Sequence, residues 1–332
     1  MYTYVTVICA VLFFLGCDKE VAKEKSVLER DTAMHTRMER VEGWKENVNE
    51  TLSAFREGYV PDEVVFCNQS VPLTKWWVQQ KLQEAIRLYA WFSSGRERIM
   101  TYQMLQSQYF PFVSHALRAR RYPDDLKYIP VVESEFSLNS VSRVGATGAW
   151  QFMPYTSKEI GLEISEIFDE RLYFEGATEG ALKKLGAEHG ICFEDWILTL
   201  AAYNAGYGRV TRAVQEQHDT SFFNLVLPEE TIQYVYRMIA VKLILENPGR
   251  YGFIPSDFFD DAIMLVPYET DISKPILHIA EEFGIPPLEC KLLNPQFVAG
   301  VVPRGKFIIR VPRRGFPSPY TQRNALFDSL HN

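Results

Sequence analysis

The sequence predicts a mainly α-helical protein with a small α+β module near its C-terminal end. Apolar residues recur at helical spacings of three and four over most of residues 75–252, and that stretch offers few candidate strands. After residue 252 the pattern changes, and a KFIIRV run at 306–311 is typical of a strand. At 332 residues, the chain is long enough for two or more domains. We therefore predict an all-α domain at 75–252, an α+β module at 253–315 and a tail at 316–332.

Helices can be assigned in order along the all-α domain. Two apolar sets between residues 75 and 121 predict two helices, and Pro123 begins a break that leads into a helix running toward Glu133. Further helices are predicted at 156–162, 174–189, 193–205 and 231–246. We expect Gly161 and Gly190 to end the first two of these helices, because glycine readily adopts the left-handed conformation of a C-terminal cap.

The C-terminal module is expected to combine two strands with one helix. Residues 261–266 and 306–311 are the predicted strands, and residues 275–283 the predicted helix. A module of about fifty residues is too small to bury a large core by itself.

The first sixteen residues carry no charged side chain, and Val5 to Leu15 is strongly apolar. This stretch is too short to span a bilayer and is typical of the apolar core of a signal peptide. The following Leu15-Gly16-Cys17 resembles a bacterial lipoprotein signal, which implies a lipid on Cys17 and a lipid-anchored, periplasm-facing protein in the cell envelope. An uncleaved anchor or a plain secretory signal remains the alternative. Residues 17–74 are polar and predict a tether with a loosely packed helix.

Composition and cysteine spacing exclude several classes of site. A net charge of −7 argues against a nucleic-acid partner, because such partners are bound through basic faces. Cys67, Cys192 and Cys290 lie far apart, have no zinc-like spacing and are odd in number, so neither a metal site nor a disulfide framework is predicted. The six histidines are scattered, without an HExxH pair, and we predict no metal and no cofactor.

Glu133 is the strongest candidate for a catalytic group. It follows the apolar run at 128–132 directly, and two turns of small residues come after it before Pro154. An apolar neighbourhood disfavours ionisation and can keep a carboxylic acid protonated near neutral pH. The alternative is that Glu133 has no catalytic role and caps an ordinary surface turn.

Two further segments carry polar groups suited to a cleft. An apolar helix ends in Tyr203-Asn204 followed by two glycines, and Glu229 to Val235 opens the last helix of the domain. A tyrosine hydroxyl and an asparagine amide at a buried helix end must find partners. Facing a cleft, they would be ready donors for the hydroxyl and acetamido groups of a sugar.

Together these segments resemble the lysozyme-like, SLT-type catalytic domain of the bacterial lytic transglycosylases. Members of that family share a Glu-Ser pair, then GAxGxxQxMP, AAYNAGxGRV and ETxxYV. Here the motifs correspond to Glu133-Ser134, Gly145 to Pro154, Ala201 to Val210 and Glu230 to Val235, in the same order. The resemblance covers roughly residues 100–252.

The resemblance implies a role for each matched position. Glu133 would be the single catalytic acid and base, and Ser142 would orient the acetamido group of the reacting sugar. The other implied groove residues are Gln151, Met153, Tyr203, Asn204, Glu230 and Tyr234. Met153 and Tyr234 could equally well be core residues.

The implied substrate is a peptidoglycan glycan strand. Most glycosidases use two carboxylates, but the only other acid between Glu133 and Pro154 is Glu135, which is two residues on and is not expected to face the same bond. A site with one carboxylate suits substrate assistance. In the reaction that the resemblance implies, the muramoyl 6-hydroxyl then closes a 1,6-anhydro ring. The alternatives are a hydrolytic muramidase like the goose-type lysozymes and a non-catalytic peptidoglycan-binding lipoprotein.

The C-terminal module resembles a divergent LysM-like glycan-binding unit. The resemblance rests on Ile279 to Ile285, Leu292 to Pro295, Val302 to Gly305 and Ile308 to Pro312. It implies a module that raises the effective substrate concentration near the cell wall. A purely structural appendix is the alternative.

Overall fold

The computed structural model describes residues 58–253 and 263–312, which belong to one compact unit, Ala54–Asn332. The predicted signal peptide, Cys17, most of the predicted tether and the whole predicted tail at 316–332 lie outside the described residues. No helix in the described part of the chain is both long enough and apolar enough to cross a membrane.

A short β-hairpin opens the described chain, where the sequence analysis assigns a tether. Strand β1 (Val65–Phe66) pairs antiparallel with β2 (Gln69–Ser70), and Phe66 is fully buried in the core of the helical domain. Cys67 and Asn68 form the turn with positive φ angles. Strands of two residues are too short to give a period-two pattern, so this sequence offered little signal for them.

Eight α-helices follow. They are α1 (Trp76–Ala90), α2 (Ser93–Arg120), α3 (Ile129–Ser134), α4 (Pro154–Ile160), α5 (Phe174–Ile191), α6 (Trp196–Ala205), α7 (Tyr207–Gln217) and α8 (Glu229–Glu246). A 3-10 turn, Asp124–Tyr128, leads into α3. Helix α8 lies in the core, where Val235, Met238 and Ile239 are fully buried. The predicted mainly α fold class is confirmed.

Several helix boundaries differ from the prediction by two or three residues, and the largest difference lies between α5 and α6. Helix α5 continues through Gly190, so the prediction of a glycine cap there is wrong. The chain instead turns at Phe193 and Glu194, which both have positive φ angles, and α6 begins after Asp195. The Asp195 carboxylate accepts hydrogen bonds from two backbone amides of the first turn, as an N-cap aspartate does.

The C-terminal module has the predicted α+β character. Strand β3 (Ile263–Thr270) pairs antiparallel with β6 (Gly305–Pro312), and the short β4 (Lys274–Pro275) pairs with β5 (Val301–Val302). Helices α9 (Ile276–Phe283) and α10 (Pro287–Leu293) lie between the strands in sequence. Helix α10 was not predicted from the sequence. Cys67, Cys192 and Cys290 are buried free thiols.

Candidate active site

The short helix α3 places Glu133 at the surface of the core. Ile129 and Val131 are fully buried, whereas Glu133 on the same helix keeps partial solvent access. The helix ends directly after Ser134, because Glu135 and Phe136 both adopt positive φ angles. The Phe136 ring then stacks at 5.2 Å on the ring of a core tyrosine, which fixes the direction in which the chain leaves.

The pKa of Glu133 is raised from the ordinary 4.5 to about 7. Burial is the largest cause, because a low-polarity environment disfavours the charged carboxylate. The Tyr234 hydroxyl opposes this effect and lowers the pKa by favouring the carboxylate, whereas the negative charge of Glu230 raises it. Glu133 can therefore carry its proton at neutral pH, as a general acid must.

Tyr234 lies on α8, and its buried hydroxyl interacts electrostatically with Glu133. The hydroxyl approaches the carboxyl but does not reach the geometry of a formed hydrogen bond, and it has no other partner. Burial and the neighbouring carboxylate raise the pKa of Tyr234 well above its usual value. The phenol therefore stays neutral and remains available as a donor.

Tyr203, on α6, also interacts electrostatically with Glu133. Its hydroxyl donates to the Trp150 carbonyl oxygen at 2.8 Å, and burial together with Glu133 raises its pKa well above the usual value. The Ser134 hydroxyl donates to the adjacent Ala149 carbonyl oxygen at 2.9 Å. The hydroxyls of Ser134 and Tyr203 thus both hold the Ala149-Trp150 backbone in place.

The segment of residues 140–152, here termed the substrate loop, carries Ser142 and Gln151. Residue pairs Val141–Thr147 and Thr147–Phe152 form antiparallel bridges, which close the loop on itself. The Ser142 Oγ accepts a hydrogen bond from the Ala146 amide at 2.9 Å, so its own proton is left to donate outward.

The Gln151 side chain is held by hydrogen bonds within the substrate loop. Its amide nitrogen donates to the Gly148 carbonyl oxygen at 2.8 Å and to the Ser140 carbonyl oxygen at 3.3 Å. Both donors are therefore used inside the substrate loop, and the side-chain oxygen is the group left for a ligand. Met153 is half-buried at the N-cap of α4.

Asn204 and Glu230 belong to two helix ends that meet. The Thr231 hydroxyl donates to the Asn204 Oδ1 at 2.9 Å, which leaves the amide nitrogen of Asn204 free to donate to a ligand. Thr231 was missed as a site residue, although it lies within the ETxxYV motif. Glu230 is exposed and acts on Glu133 through its charge.

The structure thus brings Glu133, Tyr203 and Tyr234 together, with Glu230 close enough to influence the proton. Glu135 is turned to an ion pair with Arg98, at 3.0 Å. Within residues 58–253 and 263–312, no cluster of three or more His, Cys, Asp or Glu side chains is placed to hold a metal ion. The arrangement is suited to proton transfer in a partly water-excluded site.

Residues 111–226 match the family described as Transglycosylase SLT domain. The resemblance inferred from the motifs is therefore confirmed over these residues. The chain is also similar to membrane-bound lytic murein transglycosylase D of Escherichia coli (strain K12), with 36% identity over 148 residues. That similarity covers 43% of this chain and 33% of the relative, so the chain spans about a third of the relative's length.

Two solved structures are similar over part of the chain. One is an inactive mutant of the lytic transglycosylase Slt from Pseudomonas aeruginosa, with 23% identity, 44% of this chain and 25% of that chain covered, and a TM-score of 0.36. The other is the 70 kDa soluble lytic transglycosylase from Escherichia coli, with 17% identity, 66% and 45% of the two chains covered, and a TM-score of 0.33.

Proposed function

We propose that this protein is a lytic transglycosylase that cleaves the β-1,4 bond between N-acetylmuramic acid and N-acetylglucosamine in peptidoglycan. The observation that carries this proposal is the single acid Glu133, which holds its proton to about pH 7 beside two neutral tyrosine hydroxyls. The family match over residues 111–226 supports the substrate class.

In the first step, protonated Glu133 donates its proton to the glycosidic oxygen, and the bond from that oxygen to the muramoyl C1 breaks. General acid catalysis of this kind contributes roughly a hundredfold to ten-thousandfold. The N-acetyl carbonyl of the substrate stabilises the positive charge at C1. Ser142 and Tyr203 orient that acetamido group, and the free amide hydrogens of Asn204 bind the sugar.

In the second step, the Glu133 carboxylate takes the proton of the muramoyl 6-hydroxyl, whose oxygen bonds to C1. The products are a 1,6-anhydromuramoyl end and a free N-acetylglucosamine hydroxyl, and no water is consumed. The Tyr234 hydroxyl favours the intermediate carboxylate, because its interaction with that group lowers the pKa. Gln151 and Met153 complete the groove wall in this proposal.

Hydrolysis is the second candidate, and one observation favours it. Glu230 is a carboxylate whose charge acts on Glu133, and a second carboxylate is what a water-using glycosidase requires. We assign Glu230 the role of keeping Glu133 protonated, since like charges close together disfavour joint ionisation. A muramidase would instead use Glu230 to activate water.

Mass spectrometry of digested sacculi separates these reactions. The wild-type protein is expected to release anhydromuramoyl products, each lighter by one water than the products of hydrolysis. Glu133→Gln should remove turnover and leave the fold intact, whereas Glu135→Gln, at a half-exposed ion pair, is the matched control and should keep activity. Products that end in a reducing muramic acid would show that the bond is hydrolysed, and they would refute the lytic transglycosylase assignment. Binding of sacculi without cleavage by the wild type would indicate a peptidoglycan-binding lipoprotein.

We also propose that the protein acts in the cell envelope, facing the periplasm, through a lipid on Cys17. Mass spectrometry of the N-terminal peptide would detect the acyl chains, and Cys17→Ala should release the protein from membranes. The C-terminal module is proposed to contribute LysM-like glycan binding, which a sedimentation assay with insoluble peptidoglycan would measure.

A further inference from the structure

A tight turn between α4 and α5 reaches into the C-terminal module. Residues 163–171, here termed the docking loop, fold back on themselves through a bridge between Ile164 and Asp169. The Ser165 Oγ accepts the Phe168 amide at 3.0 Å, which closes the tip of the turn. The loop thereby presents one aromatic ring, that of Phe168, on a rigid backbone.

Phe168 is part of the module's own hydrophobic core. Its side chain is buried, and its ring centre lies 5.8 Å from that of Phe297 and 5.6 Å from that of Phe307. The next amide, of Asp169, donates to the Gln296 carbonyl oxygen at 3.0 Å. A module of this size can bury only a small hydrophobic core by itself, and the helical domain contributes the Phe168 ring to that core.

A buried ion pair joins the same two parts of the chain. The Arg310 guanidinium of β6 hydrogen-bonds to the Glu175 carboxylate of α5, and both side chains are almost fully buried. The arginine also lies 5.6 Å from the ring centres of Tyr109 and Phe174. Such a pair is costly to separate, because either charge alone would remain buried and uncompensated.

The other side of the docking loop touches the substrate loop. Arg171 pairs with Asp169 at 2.7 Å and reaches the Gly145 carbonyl oxygen at 3.4 Å. The two backbones are in closer contact still, since a Cβ placed on Gly148 would lie 1.9 Å from the Arg171 carbonyl oxygen. The docking loop is therefore packed between the module and the loop that carries Ser142.

We propose that the C-terminal module fixes the substrate loop through the docking loop, with Phe168 and Arg171 as the positioning residues. The module is then a structural part of the active site as well as a glycan-binding appendage. This inference rests on the proposed function for the role of Ser142 in the reaction, but its structural part does not.

A module that positions the substrate loop and a module that only binds glycan would change different kinetic parameters. A binder that only concentrates the enzyme on its substrate would change KM and leave kcat unaltered. A support that positions an orienting group acts on kcat, since small misplacements of such groups are costly in rate. The two can be separated with soluble glycan fragments of defined length.

Phe168→Ala and Arg171→Gln are the test variants in the full-length protein. We expect kcat to fall roughly tenfold or more in each, with KM within about twofold of wild type. Phe168→Leu, which refills most of the space, should recover most of kcat. Arg120→Gln is the matched control, because that arginine lies on α2 and forms a partly exposed ion pair with Glu179 of α5, outside the docking loop and the substrate loop. The kcat of this variant should not change.

Hydrogen exchange supplies a readout that does not depend on the reaction. In Phe168→Ala, the amides of Ala146 and Gly148 should exchange about tenfold faster or more, while amides of the core helix α8 stay protected. Unchanged exchange in the substrate loop would overturn the inference even if kcat fell. A higher KM at constant kcat would overturn it as well. A wild-type protein that cleaves no glycan would refute only the proposed function. The hydrogen-exchange result would still show whether the C-terminal module fixes the substrate loop.

The buried ion pair between Arg310 and Glu175 allows a second, independent test of the proposal. Arg310→Met leaves Glu175 charged and unpaired, so it should release the module and accelerate exchange in the substrate loop. The double variant Glu175→Met/Arg310→Met removes both charges and should restore slow exchange, because buried pairs are often replaced by apolar residues without loss. Slow exchange in the single variant would contradict the proposal.

Discussion

Replacing Glu133 by Gln should stabilise the protein, by an amount that depends on pH. Folding raises the pKa of this carboxyl from 4.5 to about 7, so the folded state binds its proton more tightly than the unfolded state does. Between these two pKa values the native protein therefore holds more protons than the unfolded chain. Its stability falls as the pH rises through this window.

The size of the effect follows from the two pKa values. At 1.36 kcal/mol per pKa unit, a rise from 4.5 to about 7 corresponds to at most about 3 kcal/mol, fully expressed above pH 7. Glutamine has nearly the same shape and never ionises. The free energy of unfolding of Glu133→Gln should thus equal that of wild type at about pH 4 and exceed it by up to about 3 kcal/mol at about pH 8.

Urea unfolding followed at a series of pH values measures this difference directly. Glu135→Gln is the control, because that half-exposed carboxylate pairs with Arg98, and its removal should change stability by about 1 kcal/mol or less. A stability difference between Glu133→Gln and wild type that stays constant from acid to alkaline pH would refute the assignment of a burial-raised pKa.

Two further predictions concern the pH profile and the substrate loop. Tyr234→Phe removes the hydroxyl that lowers the pKa of Glu133, so the decline of kcat/KM with rising pH should move to higher pH, and a move to lower pH would contradict this role. Gly148→Ala should lower the urea midpoint of unfolding more than Gly145→Ala does. Both glycines have positive φ angles, so an alanine at either position costs about 1 kcal/mol or more. Only at Gly148 would the new methyl group also collide with backbone atoms. Equal losses in urea titrations would show that the close contact with Arg171 is unimportant.

The helices with clear apolar periodicity could be predicted from sequence, and so could the environment of Glu133. The apolar run before Glu133 indicated burial, and the raised pKa is the expression of that burial. Helix α7 was not predicted, because glycine has a low helix propensity and the glycines at 206 and 208 stand at its start. Gly206 does break α6, with a φ of 84°, but a new helix starts at the very next residue.

Long-range partners could not be predicted from local pattern. Trp150 lies in a motif that resembles a groove wall, yet its side chain is fully buried and its indole donates to Thr178 at 3.0 Å. Phe168 gives no local sign that it completes the core of a module more than a hundred residues further along the chain. Such contacts depend on which surfaces meet in three dimensions, and a single sequence does not record that.

The unpartnered Tyr234 hydroxyl connects the stability of the site with its chemistry. A buried hydroxyl without a hydrogen bond costs free energy in the folded protein. The protonated Glu133 offers this donor only a neutral carbonyl oxygen, whereas the carboxylate that forms when the proton leaves is a stronger acceptor. The interaction is therefore stronger after proton transfer than before it, which is the condition for an interaction to accelerate a reaction. In the proposed reaction the same carboxylate, with a pKa of about 7, would be basic enough to take the proton of the muramoyl 6-hydroxyl.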